Sequence, residues 1–128
     1  MLSLGIFDPL DREVDDGGQL LWETWIRLAG LPFVTSDGHV FKFAEEDERN
    51  MRGALASLRI DGGTEVWRPS GVEVDYVKLS AYLEELELLR SRRGRVLNRQ
   101  YLEIKGKADY TFRDIANWES EHPTPDPV

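Results

Sequence analysis

The chain has no cysteine and only two histidines, His39 and His122, among its 128 residues. Without cysteine there is no disulfide framework and no thiolate zinc site, and nothing ties the protein to an oxidising compartment. With no thiol, no G-x-S-x-G elbow and only those two imidazoles, nucleophilic catalysis has little to start from. Neither histidine stands at ligand spacing from the other, and the acidic stretch D-R-E-V-D-D-G-G lacks the alternating oxygens and closing glutamate of a calcium loop. Gly62-Gly63 precedes a strand pattern rather than a helix, with no lysine close behind, which favours a plain turn over a phosphate loop. The sequence therefore assigns no catalytic residue, no metal and no cofactor. Positive charge is also scarce, 16 basic against 24 acidic side chains for a net charge of -8. Such a balance repels phosphates and anionic headgroups, so neither nucleic acid nor membrane is expected as a partner. No apolar run approaches the roughly 18 residues of a membrane span, and M-L-S-L-G-I-F-D-P-L-D-R has no basic leader, so the protein is expected to be made and kept in water.

What is present is 41% hydrophobic residues, enough for one modest core. The pattern predicts an N-terminal arm over 1–18, a single α+β domain over 19–120 and a loose tail over 121–128. In the arm, Leu2, Leu4, Ile6, Phe7 and Leu10 follow no regular period before Pro9 and the acidic run end any element. From Gln19 to Ala29, Leu21, Trp22, Trp25, Ile26 and Leu28 recur at helical spacing, with Gly30 and Pro32 as the stop. F-V-T-S-D-G-H-V-F-K-F alternates about an Asp37-Gly38 turn and predicts a hairpin with strands over 33–35 and 39–43. Glu45 to Glu48 suit the positive end of a helix whose apolar side is Met51, Ala54, Leu55 and Leu58. E-V-W and V-E-V flank R-P-S-G as a second hairpin. Past Asp75, a candidate cap, a long helix carries Leu79, Tyr82, Leu86 and Leu89, then a stripe shifted by one position at Leu97, Tyr101 and Ile104, which predicts a kink or break at Gly94. Thr111 to Asp114 reads as a capping box before a last helix with Ile115 and Trp118. The fold class is α+β: two β-hairpins forming a small antiparallel sheet, each followed by a helix, with further helices at the ends.

Two kinds of residue stand out against this frame. Arg90, Arg92, Arg93, Arg95 and Arg99 form a basic cluster that can grip phosphate, but in so acidic a chain it more readily pairs with Glu45 to Glu48 or with an acidic segment of a neighbouring subunit. Trp22, Trp25, Trp67 and Trp118 could be stacking platforms, although each falls on an apolar face, where tryptophans are more often core.

The order from about Trp25 to Glu119 resembles a domain-of-unknown-function family of tailed bacteriophages and prophages, found in tail-fibre and tail-fibre-assembly proteins. The marks are the F-V-T-S-D-G-H-V-F-K-F hairpin, Asp47 leading into N-M-R-G-A-L, E-V-W-R with its turn and V-E-V-D, the long helix ending Y-L-E-I-K, and the last helix with Trp118. The resemblance implies a non-enzymatic structural or assembly component of a phage tail, made in the host cytoplasm and carried in the virion, whose partners are other tail proteins or further copies of itself. An assembly chaperone absent from the particle, or an acidic regulator that occupies a host nucleic-acid-binding protein, are the alternatives. Trp67 would then lock the second hairpin onto the helices. The expected interface residues are Ile6, Phe7 and Leu10 on the arm and Arg92, Arg93 and Arg95 on the long helix. Leu88 and Val96, off the helix's main stripe, argue for self-association.

Overall fold

The computed structural model describes residues 8–68 and 70–122, which leaves Ile6, Phe7, Pro69 and the tail from 123 outside the described residues. The protein is α+β, and its described residues form four α-helices and two antiparallel hairpins, each followed by a helix. Its described residues divide into two compact units. The first is discontinuous in sequence, taking 8–29 and 94–122; the second takes the stretch between, up to Arg93.

The second unit begins with strands β1 (Phe33–Val34) and β2 (Val40–Phe41), paired with Phe33 opposite Phe41 and Val34 opposite Val40. Their reversal is closed by Gly38, whose φ of 87° suits a residue without Cβ, and by its N–H donating to the Thr35 carbonyl at 2.9 Å. Helix α2 (Glu45–Asp61) starts with Asp47 accepting from the Ala44 N–H at 3.0 Å and stops at Gly62, φ 70°. Strands β3 (Glu65–Trp67) and β4 (Val72–Val74) follow, with Trp67 opposite Val72 and Glu65 opposite Val74. Alternation decides which side chains enter the core: Phe33, Phe41, Val72 and Val74 point in, Val40 and Glu73 point out. They meet Met51 and Leu58 of α2 and Leu79, Tyr82, Leu83 and Leu86 of helix α3 (Tyr76–Lys105) in one apolar cluster. Each fully buried member contributes about 1.5–3 kcal/mol.

The two hairpins do not join into one sheet among the described residues; each remains two-stranded. Strands of two and three residues offer few free ladder groups, and the hairpins are joined through the core their inward residues share. Trp67 lies at the edge of that cluster, half-buried and packed against it. It braces the second hairpin, as expected, but from the margin of the core.

The break predicted at Gly94 does not occur, since α3 keeps helical structure from Tyr76 to Lys105. What changes at Gly94 is the company the helix keeps, for the division between the two units falls there. The one-position shift in the apolar stripe records that change of partners. Gly94 has open space where a Cβ would stand.

The first unit buries Val14, Leu21, Leu28, Leu97, Ile104, Ile115 and Trp118. The described part of the arm belongs to it. Val14 donates to the Tyr110 carbonyl at 3.0 Å, the Arg12 carbonyl accepts from Phe112 at 3.0 Å, and Glu13 bridges to Thr111. Arg113 reaches Asp8 at 2.7 Å and Asp11 at 2.8 Å, so part of the acidic run is tethered to helix α4 (Phe112–Ser120). Asp16 then starts helix α1 (Gln19–Ala29), accepting from the N–H groups of Gly18 at 3.1 Å and Leu20 at 2.9 Å. At α4 the capping box is present: Thr111 accepts from Asp114 N–H, and Asp114 accepts from Thr111 N–H at 2.8 Å.

Candidate functional site

The helix α1 is apolar over more of its circumference than one core-facing stripe requires. Its inward line is Leu21, Thr24 and Leu28, with the buried Thr24 hydroxyl satisfied by the Leu20 carbonyl at 2.8 Å. Trp22 and Ile26, one turn apart, face out, and each is 50% exposed. Trp22 stacks on Trp25 with centroids 5.2 Å apart and planes within 4°, and Tyr101 of α3 stands nearly perpendicular to Trp22 at 6.2 Å and 74°. Tyr101 in turn lies 6.5 Å from the core ring of Trp118. The platform is fixed from behind: Trp25 Nε1 donates to Asn98 Oδ1 at 3.0 Å, and Trp118 Nε1 donates to Gln100 Oε1 at 2.8 Å. The Lys105 ammonium sits over the Tyr101 ring at 5.6 Å, and Leu102, 64% exposed, follows on the same helix. The result is a corner of two aromatic planes with a half-exposed indole, one neighbouring cation and the exposed Ile26 one turn along α1.

Such a corner offers flat apolar area and a donor, not reaction chemistry. Of the four tryptophans expected in the core, Trp118 alone is buried; Trp25 and Trp67 are half-buried and Trp22 is exposed. Thr24 lies on the same line as Leu21 and Leu28, and a helix that buries that line must turn Trp22 outwards.

Of the residues expected at the interface, Leu10, Arg92, Arg93 and Arg95 are described. Leu10, in a short 3-10 turn over Pro9–Asp11, is 41% exposed. Arg92 and Arg95 are exposed, whereas Arg93 is only 6% exposed and does a structural task. Its guanidinium lies over the Phe33 ring at 3.6 Å and donates to the carbonyls of Leu31 and Pro32. Arg90 pairs with Glu48 at 2.7 Å, the pairing expected of the cluster, and Arg52 adds Glu48 at 3.0 Å and Glu87 at 2.9 Å. Ile6 and Phe7 lie outside the described residues.

Two further clusters contain titratable groups. At the tip of the first hairpin the Tyr82 hydroxyl donates to Asp37, which also accepts from Thr35 at 2.5 Å and lies 4.0 Å from His39. Burial, and then the Asp37 hydrogen bond and the charges of Asp37 and Glu85, push the Tyr82 phenol up to about 12. Burial raises the Asp37 carboxyl, but hydrogen bonds from Thr35 and Tyr82 and the neighbouring His39 outweigh it and hold the carboxyl below its ordinary range. Within the first unit, a cavity of about 230 Å³ is lined in part by Glu103, Asp114 and Glu121. Asp114 is held low by the Thr111 N–H and by Lys107 at 3.0 Å, and Glu121 accepts from Gln100 at 3.0 Å. Among the described residues no group of three His, Asp or Glu side chains is placed to hold a metal ion.

No family model, curated protein or solved structure matches the chain.

Proposed function

We propose that the protein is a non-enzymatic contact module that binds other protein chains through the aromatic corner of Trp22, Trp25 and Tyr101. The observation that carries this reading is Trp22: a large ring, half in water, stacked on a second indole that is itself fastened to Asn98. Rigid aromatic side chains of this kind give contact area at low entropic cost and are the usual anchors of protein interfaces.

The setting we propose is the tail of a bacteriophage, as a structural or assembly component made in the host cytoplasm and carried in the virion, with other tail proteins or further copies as partners. Support for that setting is the resemblance in the order of the hairpins and helices. Mass spectrometry of purified particles tests it, with the chain expected at a fixed ratio to the tail proteins. Its absence from particles, together with its presence in the lysate, would replace the virion role with that of an assembly chaperone. The contact surface is tested separately by Trp22→Ala, which is expected to abolish association while leaving the melting temperature within about 2 °C, as an exposed substitution does.

A further inference from the structure

We propose that a groove between α2 and the start of α3 binds a small organic anion: one carboxylate or phosphate group on a short apolar body. The inference goes beyond the contact reading and does not depend on it, since every residue it uses lies in the second unit.

The groove holds a cavity of about 230 Å³ lined by Arg52, Leu55, Ala56, Arg59 and Tyr76. Helical spacing puts the first four on one face of α2, at i, i+3, i+4 and i+7, and Tyr76 is the first residue of α3. Two guanidiniums and no carboxylate line the cavity, in a chain with 24 acidic against 16 basic side chains. The net charge of the whole chain repels anions at a distance. Physiological salt screens that repulsion beyond about 8–10 Å, so the nearest groups decide what is held.

Those groups are donors with capacity to spare. Among the described residues Arg59 makes no ion pair or hydrogen bond, and neither does the Tyr76 hydroxyl. Arg52 is paired, but Glu48 and Glu87 both accept from the same nitrogen, Nη2, at 3.0 and 2.9 Å. The two carboxylates hold the head group in place and leave Nη1 and Nε without a partner among the described residues. A guanidinium can only donate, so a ligand must bring acceptors, and an ionised oxygen makes the strongest bonds with it. An amine would meet two positive charges and a single phenol oxygen.

The rest of the lining sets the size and nature of the ligand. Leu55 is half-buried and packed against the core, and the Tyr76 ring stands at the other side, 42% exposed. Ala56 carries one methyl on the same face as the two arginines, and the space a longer side chain would fill is part of the cavity. Apolar surface beside the donors takes an apolar body beside the oxyanion. A cavity of about 230 Å³ is below the roughly 300–1,000 Å³ of sites for drug-sized ligands, which limits that body to a single small ring or a short chain.

Titration of the full chain with phenyl phosphate, benzoate, inorganic phosphate and benzylamine, followed by backbone amide NMR shifts, tests the proposal. Phenyl phosphate or benzoate should bind saturably with a dissociation constant on the order of 1 mM, with the largest shifts at residues 52–59 and 76. The better of the two tells which oxyanion the site prefers. Inorganic phosphate should shift the same residues but bind more weakly, and benzylamine should not bind. Arg59→Gln should weaken binding at least about tenfold while leaving the melting temperature within about 2 °C, since an exposed arginine without partners is replaced. Ala56→Leu, which fills the space and keeps every charge, should do the same. Tyr76→Phe should cost about three- to tenfold, the loss of one hydrogen bond. No saturable shift at these residues up to about 20 mM of either aromatic anion overturns the proposal. So does benzylamine binding as tightly as the anions, or an Arg59→Gln or Ala56→Leu chain that binds like the parent.

Discussion

Replacing Tyr82 by Phe removes one oxygen from a side chain only 4% exposed and keeps the ring that packs against Phe41 at 4.8 Å. In the folded protein the phenol titrates at about 12, against about 10 for an unfolded tyrosine. The folded value is the higher one, so the stabilisation is complete below pH 10 and is lost as pH rises through 12. Two units correspond to at most about 2.7 kcal/mol, and part of the shift belongs to charges that relax, so about 2 kcal/mol is the expected loss. Urea unfolding at intervals from pH 8 to 12 should show the parent losing about 2 kcal/mol more than Tyr82→Phe, because the lysines and the other tyrosines titrate alike in both. At neutral pH the substitution should cost about 1–2 kcal/mol, since Asp37 loses a donor but its side chain is 43% exposed and keeps Thr35. The acid side has the opposite sign. Asp37 is held below the ordinary carboxylate range, so its contribution is present above about pH 4 and is lost as pH falls through the depressed value. Tyr82→Phe should move that loss to higher pH. Parallel alkaline limbs for parent and variant would refute the reasoning, and the Tyr82–Asp37 hydrogen bond would then contribute nothing to stability.

Three further outcomes follow from packing. Trp118→Ala, at 2% exposure, should cost about 3–5 kcal/mol, and Trp67→Ala, at the core's edge, about 1–3 kcal/mol by denaturant unfolding; equal costs would mean that exposure does not rank these rings. Gly94→Ala should stabilise by about 0.5–1 kcal/mol, because the position is helical and open, and a lowered melting temperature would show that the glycine is needed as such. Val14→Ala should cost about 1–2 kcal/mol, and deleting residues 2–16 should cost more, since the buried valine and the Asp16 cap go together; a truncated chain as stable as the parent would return the acidic run to the role of a free arm.

Much of the fold was legible because it is written in local rules. The bounds of α1, the start of α4 at its capping box and the β3–β4 hairpin follow from periodicity, caps and glycine turns that act within four residues. The misreadings came where a partner distant in sequence decides. Nothing near Trp22 says that Thr24 will be buried instead, because that depends on which side of α1 the rest of its unit covers. The stripe shift near Gly94 was visible, but a break and a change of packing partners leave the same mark on the sequence. Arg93 looked like one more surface arginine. Its burial depends on Phe33 and on two carbonyls some sixty residues earlier, which no local pattern announces.

The discontinuity of the first unit sets an order of events during synthesis. Residues 30–93 form a contiguous stretch, complete in the chain before the second half of the first unit is made. Helix α1 emerges before them, yet Leu97, Ile104, Ile115 and Trp118, with which it shares a unit, come only afterwards. At about 5–20 residues per second, α1 waits roughly 5–20 s with both its apolar sides in water. For that interval the nascent chain exposes Leu21 and Leu28 as well as Trp22 and Ile26.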